Sequence, residues 1–257
     1  MEGTRRLQTS PGGEESQGLS IAALVANGTM SAEIAAVLWA AVDGQLSFLT
    51  VAVPRNAGKS TTSNAVLALR RPEVPLHQIS GDTAQLDSLK RERLGGYLVV
   101  AEFSRGPMPG YIWGEPVRRV FDTLEAGYSV QSCLHAPGVA DAIDQVTRGN
   151  GVSDQQAAAI KLVIYIEMFG RSYAEVKRRV AEVYEVHGIE NGRPIGHPLF
   201  RWQPDADAFE KTSDPHQFGK DRSDLERRAA LIADLASTGR TSAADVAAAI
   251  ADFRAKG

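Results

Sequence analysis

The segment "LTVAVPRNAGKSTTSNAVLALRR", residues 49–71, decides the class of fold. The apolar run "LSFLTVAV", residues 46–53, predicts a buried strand because it is short, rich in β-branched residues and followed at once by Pro54. A short segment containing Gly58 follows, and residues 60–69 then have helical period. The sequence therefore predicts a strand, a tight loop and a helix in direct succession.

A loop ending in Gly58-Lys59-Ser60-Thr61, between a strand and a helix, is typical of a phosphate-binding loop. In such loops, backbone N–H groups and the helix N-terminus bind phosphate. Lys59 is expected to reach the β and γ phosphates, and Ser60 to ligate Mg²⁺. An ordinary helix start with the same four residues is the alternative. The predicted ATP-binding residues are Asn56, Ala57, Gly58, Lys59, Ser60 and Thr61.

The first half of this loop departs from the pattern G-x-x-x-x-G-K-[ST], because Val53 occupies the position of the first glycine. That glycine mainly eases the entry turn, whereas Gly58 lets the backbone approach the phosphates. Asn56 tolerates left-handed geometry better than most residues and is expected to supply one unusual conformation. We expect a weakened loop that still binds phosphate.

Length and composition are those of an ordinary globular protein. The chain has 257 residues, enough for one large domain with or without a smaller appendage. It is 43% hydrophobic and 23% charged, with a net charge of -3. No global basic field favours nucleic acid or an acidic membrane surface as a partner, and we predict neither nucleic-acid binding nor membrane insertion.

Cys133 is the only cysteine, so neither an intramolecular disulfide nor a zinc site built on several thiolates is possible. This favours a reducing compartment, the cytoplasm. The sequence has no run of about 18 apolar residues. Residues 1–18 are rich in Gly, Ser and Glu, lack the apolar stretch of a secretory signal, and predict a disordered leader.

Further strands and helices alternate along the chain, which predicts an α/β fold with a mostly parallel sheet covered by helices. Strands are predicted at "VPLHQIS", "GYLVVAEF", "YSVQSCLH" and "KLVIYIEM", from about Val176, and as a hairpin within "HPLFRWQPDADAFE". Two helices are predicted from Asp221 to the end. The predicted organisation is a leader at 1–18, an ATPase-like core at 19–200, and a hairpin with a two-helix extension at 201–257.

Two further candidate site residues end predicted strands. Glu102 ends "YLVVAEF", where a carboxylate could bind metal or act on the attacking water beside the phosphate loop. His135 ends "QSCLH", where it could contact the γ phosphate. Considered alone, a solvated glutamate and a structural histidine are the more common cases.

In their order along the chain, these pieces resemble the type II and type IV secretion and pilus-assembly ATPases, in particular the archaeal and tight-adherence pilus branch. The motifs are "VPRNAGKSTT", "HQISGDTAQL", "LVVAEF" and "SCLHAP", followed by "KRRVAEVYEVHG" and "LFRWQPDADAFE". The resemblance implies a RecA-like P-loop fold, ATP and Mg²⁺ as ligands, and Glu102 and His135 as site residues. Members of this family are typically hexameric motors that move pilin or secreted subunits.

Three departures from the family pattern bear on activity. In the box "HQISGDTAQL", Asp82 is kept, Gly81 replaces an acidic residue, and Gln85 stands where the family places its catalytic glutamate. The segment from this box to Glu102 is short, and most of the family's N-terminal domain is expected to be missing. Asp82 and Gln85 are expected to flank the attacking water. We expect Gln85 to limit hydrolysis, because an amide orients water but cannot take its proton.

The sequence thus predicts a cytoplasmic ATP-binding protein with slow or partner-dependent hydrolysis, held at the inner face of the membrane through secretion or pilus subunits. Alone it is expected to be a monomer or weak oligomer, and with partners a part of a ring. The alternatives are a competent motor that uses Glu102 as base, a non-hydrolysing accessory subunit of an intact paralogue, and a small-molecule phosphotransferase. The segment "SRGPMPGYIWGEP", residues 104–116, is expected either to dock a partner or to pack in the chain's own core.

Overall fold

The computed structural model describes residues 18–170, 175–219 and 221–256. The predicted leader lies outside these ranges except for its last residue, Gly18. No helix in the described ranges combines the length and the apolar character needed to cross a membrane.

Strands and helices alternate through the first two thirds of the chain. The strands are β1 (Ser47–Val51), β2 (Leu76–Ile79), β3 (Gly96–Val100), β4 (Glu102–Phe103), β5 (Tyr111–Ile112), β6 (Tyr128–Leu134), β7 (Ile160–Phe169), β8 (Lys177–Glu190), β9 (Arg193–Gln203) and β10 (Ala208–Lys211). The helices are α1 (Ile21–Ala26), α2 (Ala32–Asp43), α3 (Lys59–Leu67), α4 (Thr83–Glu92), α5 (Glu115–Leu124), α6 (Val139–Asp144), α7 (Asp154–Ala157), α8 (Arg222–Ser237) and α9 (Ala243–Lys256), and a π-helix spans Gln145–Gly149.

Eight of the strands form one sheet in the order β10-β9-β8-β7-β1-β6-β3-β2. The five strands from β7 to β2 run parallel to one another, and β8, β9 and β10 continue the sheet antiparallel. Strand β6 lies between β1 and β3. The predicted α/β fold with a mostly parallel, helix-covered sheet, a hairpin and two C-terminal helices is confirmed.

Both faces of the sheet are covered, and the strands are therefore apolar on both sides. In β1, Phe48 packs into a cluster with α1, α2, α3, α8 and α9, whereas its neighbour Leu49 packs into a second cluster with α4, α5 and α6. Both side chains are almost fully buried, which is worth about 1.5–3 kcal/mol for each. Burial on both faces explains why "LSFLTVAV" is a continuous apolar run.

The C-terminal helices are fastened to α2 by charged groups. Asp43, the last residue of α2, accepts hydrogen bonds from Arg228 and Arg254 at 2.6 Å each. The Arg228 guanidinium also lies 4.5 Å from the centre of the buried Trp39 ring. One carboxylate thus joins α8 and α9 to the helix that precedes the central strand.

Helix α4 is not predicted by the sequence periodicity, because only Leu86 and Leu89 of this helix are buried and they form a narrow apolar stripe. Asp82 is the residue that starts it. Its carboxylate accepts a hydrogen bond from the backbone N–H of Ala84 at 2.9 Å, as an N-cap residue does. The short segment before Glu102 therefore includes a helix.

A bidentate ion pair connects the start of β8 to the β9–β10 turn. Arg179, itself 7% exposed, donates from Nε and Nη2 to the two carboxylate oxygens of Asp207 at 2.7 and 2.8 Å. The hydrogen bond from Arg179, with a second from Trp202, lowers the pKa of Asp207 to about 2. The hairpin turn is thereby held against the strand that enters the candidate site.

We predict that Asp207→Asn lowers the melting temperature by a few degrees at neutral pH. The folded-state pKa lies below the ordinary value of 3.8, so the stabilisation is complete above that value and disappears as the pH falls towards about 2. Thermal melts from pH 7 to pH 2 should therefore converge for the two proteins at the acid end. Asp205→Asn, in the same turn, is the control, and an equal loss there would contradict the assignment.

Candidate functional site

The loop between β1 and α3 has two left-handed backbone conformations in its second half. Gly58 has a φ of +94° and directly precedes α3, and Asn56 has a φ of +61°, as expected for the one unusual conformation. Val53 is not among the residues of positive φ, so its position does not require glycine. The loss of the first glycine is thus compatible with the loop's geometry.

Lys59 is placed at the centre of the site by the first turn of α3. Its side chain is 7% exposed, and its Nζ lies 3.4 Å from Oε2 of Glu102 and 3.2 Å from Nε2 of His135. Lys59, Glu102 and His135, which the sequence analysis predicts from three separate motifs, are therefore in mutual contact. Parallel strands β1, β3 and β6 produce this contact, since their carboxyl ends share one edge of the sheet.

The ring of His135 is oriented by the backbone. Its Nδ1 lies 2.9 Å from the carbonyl oxygen of Val53, which can only accept, so Nδ1 carries the proton and Nε2 accepts from Lys59. The carbonyl of His135 in turn accepts from Nε2 of Gln145 in the π-helix at 2.7 Å. Strand β6 and the π-helix together fix the histidine between the loop and Glu102.

Glu102 is a buried carboxylate with one oxygen free for a ligand. The side chain is 6% exposed, and its Oε1 has no hydrogen-bond partner. Nε2 of His135 lies 3.5 Å from this oxygen and is the acceptor nitrogen of that ring. An unpaired buried carboxylate oxygen is costly, so this atom is a candidate ligand position.

The loop and these three side chains open into a cavity of about 1100 Å³. Ser60 and Thr61 line it at the start of α3. Its basic lining residues are Arg55, Lys59, Arg105, Lys177, Arg178 and Arg179. Within the described part of the chain, Glu102 is the one carboxylate of the lining, so the cavity is suited to a multiply charged anion.

Arg178 is a site residue that the sequence analysis does not predict. From the start of β8 it donates two hydrogen bonds, at 3.1 and 2.9 Å, to the carbonyl oxygen of Asn56. Its Cδ would also lie 3.1 Å from a Cβ added to Gly58. The basic run 177–179 is visible in the sequence, but its partner is far away along the chain.

Asp82 and Gln85 are not brought into this cavity. Asp82 caps α4, and the Gln85 side chain donates to the carbonyl of Gln78 at 2.7 Å while accepting from the backbone N–H of Ser80 at 3.3 Å. Both the nitrogen and the oxygen of the Gln85 side-chain amide are thus used to join the end of β2 to α4. None of these contacts places Asp82 or Gln85 at the cavity, where the sequence analysis expects them to flank the attacking water.

The segment 104–116 lines the cavity at one end and contacts the chain's own body at the other, and its expected role in docking a partner stays a prediction. Met108 and Tyr111 line the cavity, and Met108 is 58% exposed. Trp113 is half-buried, with ring atoms 3.2 Å from where a Cβ on Gly149 would lie. The segment therefore forms one wall of the candidate site, and its tryptophan contacts the chain's own body.

No family model matches the sequence. The uncharacterized protein MJ0900 of Methanocaldococcus jannaschii is 26% identical over 219 residues, covering 74% of this chain and 38% of that protein. Among solved structures, the VirB11 ATPase from the Brucella suis type IV secretion system has a TM-score of 0.42 at 13% identity, covering 58% of this chain and 50% of that one. The Legionella pneumophila ATPase DotB has a TM-score of 0.36 at 14% identity, covering 52% and 44%. The chain spans half or less of the length of these proteins.

We predict that Gly58→Ala lowers the free energy of unfolding by about 1–2 kcal/mol, because alanine at positive φ is strained and its Cβ would press on Arg178. Urea unfolding measures the change. Gly44→Ala is the matched control, since Gly44 has a φ of -81° and a Cβ there has no neighbour nearer than 3.5 Å. Equal losses in the two variants would contradict this account of the loop.

Proposed function

We propose that this chain binds ATP with Mg²⁺ and is an ATPase of the secretion and pilus-assembly type, of the archaeal and tight-adherence branch, with slow or partner-dependent hydrolysis. The observation that carries the proposal is the contact of Lys59 with Glu102 and His135 at the N-terminus of α3. The motif order along the sequence supports the choice of family. In this proposal the protein works in the cytoplasm with subunits of the secretion or pilus machinery.

The triphosphate would bind along residues 56–61. The first backbone N–H groups of α3 have no partner within the helix, and the helix dipole favours an anion there. Arg178 holds the Asn56 carbonyl, which keeps the loop in shape for the phosphates. The arginines and lysines that line the cavity create a positive electrostatic potential. This potential would attract the nucleotide from a distance and orient its phosphates once it is bound.

Mg²⁺ fits the donor set, because it prefers oxygen ligands and usually needs few from the protein. The exposed hydroxyl of Ser60 and the unpartnered Oε1 of Glu102 would hold it. When bound, the ion neutralises charge on the phosphates.

Lys59 connects nucleotide binding to the state of Glu102. Its ammonium now neutralises the buried carboxylate, and phosphate oxygens would compete for the same ammonium. Moving Lys59 towards phosphate leaves Glu102 free to orient water and accept its proton. His135 contacts both the Lys59 ammonium and the Val53 carbonyl of the loop. A movement of the ammonium would therefore change the hydrogen bond at Nε2 of His135.

Slow turnover follows from the shortage of carboxylates. Glu102 is the one acidic residue among the described lining residues, and it would have to serve both metal and water. A neighbouring subunit or partner that supplies another polar group would raise the rate. The side chain of Gln85, which is engaged with Gln78 and Ser80, favours a second candidate, a non-hydrolysing accessory subunit of an intact ATPase.

We predict that Lys59→Ala weakens ATP binding by about one to two decades, because it removes a charge-assisted contact worth about 1.5–3 kcal/mol. Calorimetric titration with ATP in the presence of Mg²⁺ measures it. Lys90→Ala is the control, since Lys90 is an exposed residue of α4 paired with Glu125. Unchanged affinity in Lys59→Ala would rule out the proposed site.

We predict that Glu102→Gln reduces steady-state phosphate release to the level of Lys59→Ala, since a positioned base contributes about 10²- to 10⁴-fold. Gln85→Glu should leave the rate of phosphate release unchanged, because residue 85 lies outside the cavity. The introduced carboxylate would only lose the hydrogen bond that Gln85 donates to the Gln78 carbonyl. Acceleration by Gln85→Glu would instead support the catalytic role predicted from the sequence. A native rate equal to that of Lys59→Ala would favour the accessory subunit.

A further inference from the structure

Three of the chain's five histidines converge on one buried glutamate far from the nucleotide cavity. Glu185, His187, His197 and His216 each offer one ligand atom, and these atoms all lie within 4.8 Å of one another. The three imidazole rings have centroids 4.3 to 5.3 Å apart. Such a concentration of imidazoles is unusual in a chain with so few histidines.

The β8–β9 pairing brings two of the histidines to Glu185. Glu185 of β8 is the direct cross-strand partner of His197 on β9. The register shifts between Val186 and Gly188, so His187 is the extra residue of a β-bulge. A bulge re-aims side chains, and here Nε2 of His187 lies 3.1 Å from Oε2 of Glu185.

The third histidine comes from the strap, residues 212–219, that leads from β10 towards α8. The strap is tied across β8 and β9: Gln217 donates to the carbonyl of Val186 at 2.8 Å, and the hydroxyl of Ser213 donates to the carbonyl of Pro198 at 2.6 Å. His216 is exposed and faces the other two rings. The cluster is therefore accessible from solvent on the strap side.

Glu185 is held in place by the strap backbone. It is fully buried, and its two oxygens accept from the N–H groups of His216 and Gln217 at 2.9 and 2.8 Å. Its Oε2 also lies 3.5 Å from Nε2 of His197. A buried carboxylate surrounded by imidazole nitrogens matches the donors that a borderline-soft divalent ion takes.

We propose that Glu185, His187, His197 and His216 form a structural site for Zn²⁺. Zinc takes imidazole nitrogen and carboxylate oxygen as ligands, and four protein ligands are typical of its structural sites. Tetrahedral bonds of about 2.0–2.1 Å would place ligand atoms about 3.3 Å apart, so the widest pair must approach by about 1.5 Å. The side chains of His187 and His216, both exposed, can supply that movement by rotation.

The bound ion would fasten the strap to the sheet. Because the strap leads to α8, the site would fix the start of the C-terminal helices relative to β8 and β9. Glu185 lies six residues beyond Arg179 on β8, roughly 20 Å along the strand from the nucleotide cavity. Zinc binding is therefore separable from ATP binding.

The test uses the full chain without a histidine tag, stripped with a chelator and titrated with zinc chloride in a calorimeter. We expect one Zn²⁺ per chain and a rise in melting temperature of about 5 °C or more when free zinc exceeds the Kd a hundredfold. His197→Gln and His216→Gln should each weaken binding at least tenfold. Both variants are also checked for unchanged ATP affinity, which reports that the rest of the chain is folded.

His77→Gln is the matched control, because His77 lies on β2 with its Nε2 2.9 Å from the Gly95 carbonyl, outside the cluster. It should retain the native zinc affinity and stoichiometry. Absence of zinc binding by the folded native chain would overturn the proposal and leave the cluster as an anchor for the strap. Equal affinity in native protein, His197→Gln and His216→Gln would also overturn it, since the ion would then bind elsewhere.

Discussion

The parallel pairing of β1 with β6 is the constraint on which the candidate site depends. Phe48 to Val51 pair in register with Gln131 to Leu134, so the residues that follow the two strands emerge side by side. The Val53 carbonyl and the His135 ring meet for this reason, and β3, on the other side of β6, brings Glu102 to the same edge. A register shift of one residue in β6 would exchange its two faces and remove His135 from Lys59.

Much of the fold can be predicted from the sequence because its strands are buried on both faces. Strands β1 and β3 are buried at all five positions, so runs such as "LSFLTVAV" and "GYLVVAEF" are almost continuously apolar and stand out from the amphipathic helices. Helix α4 is the counter-example, since two buried leucines within a charged segment are too few to show a helical hydrophobic periodicity. Its real signal was local, the Asp82 carboxylate capping the N–H of Ala84.

The site was predictable only where its residues follow strands. Glu102 and His135 lie within two residues of the ends of β3 and β6, and Lys59 follows the loop after β1. Because these parallel strands end at one edge of the sheet, the three residues meet there. Arg178 and the histidine cluster depend instead on antiparallel registers and a strap, which pair residues without any spacing rule in the sequence. Gln85 is a case in which the motif was recognised but the predicted contact was not found. Its position in the motif does not determine its hydrogen-bond partner, which is the Gln78 carbonyl.

The contact between Val53 and His135 uses the main chain of the loop alone. The histidine binds the carbonyl of Val53, while the valine side chain is 55% exposed and its backbone φ is not among the positive ones. Every amino acid carries the same carbonyl, so the hydrogen bond that orients His135 does not depend on which side chain residue 53 carries. Residue 53 is consequently a position of the β1–α3 loop where the sequence can vary while the hydrogen bond that orients the histidine persists.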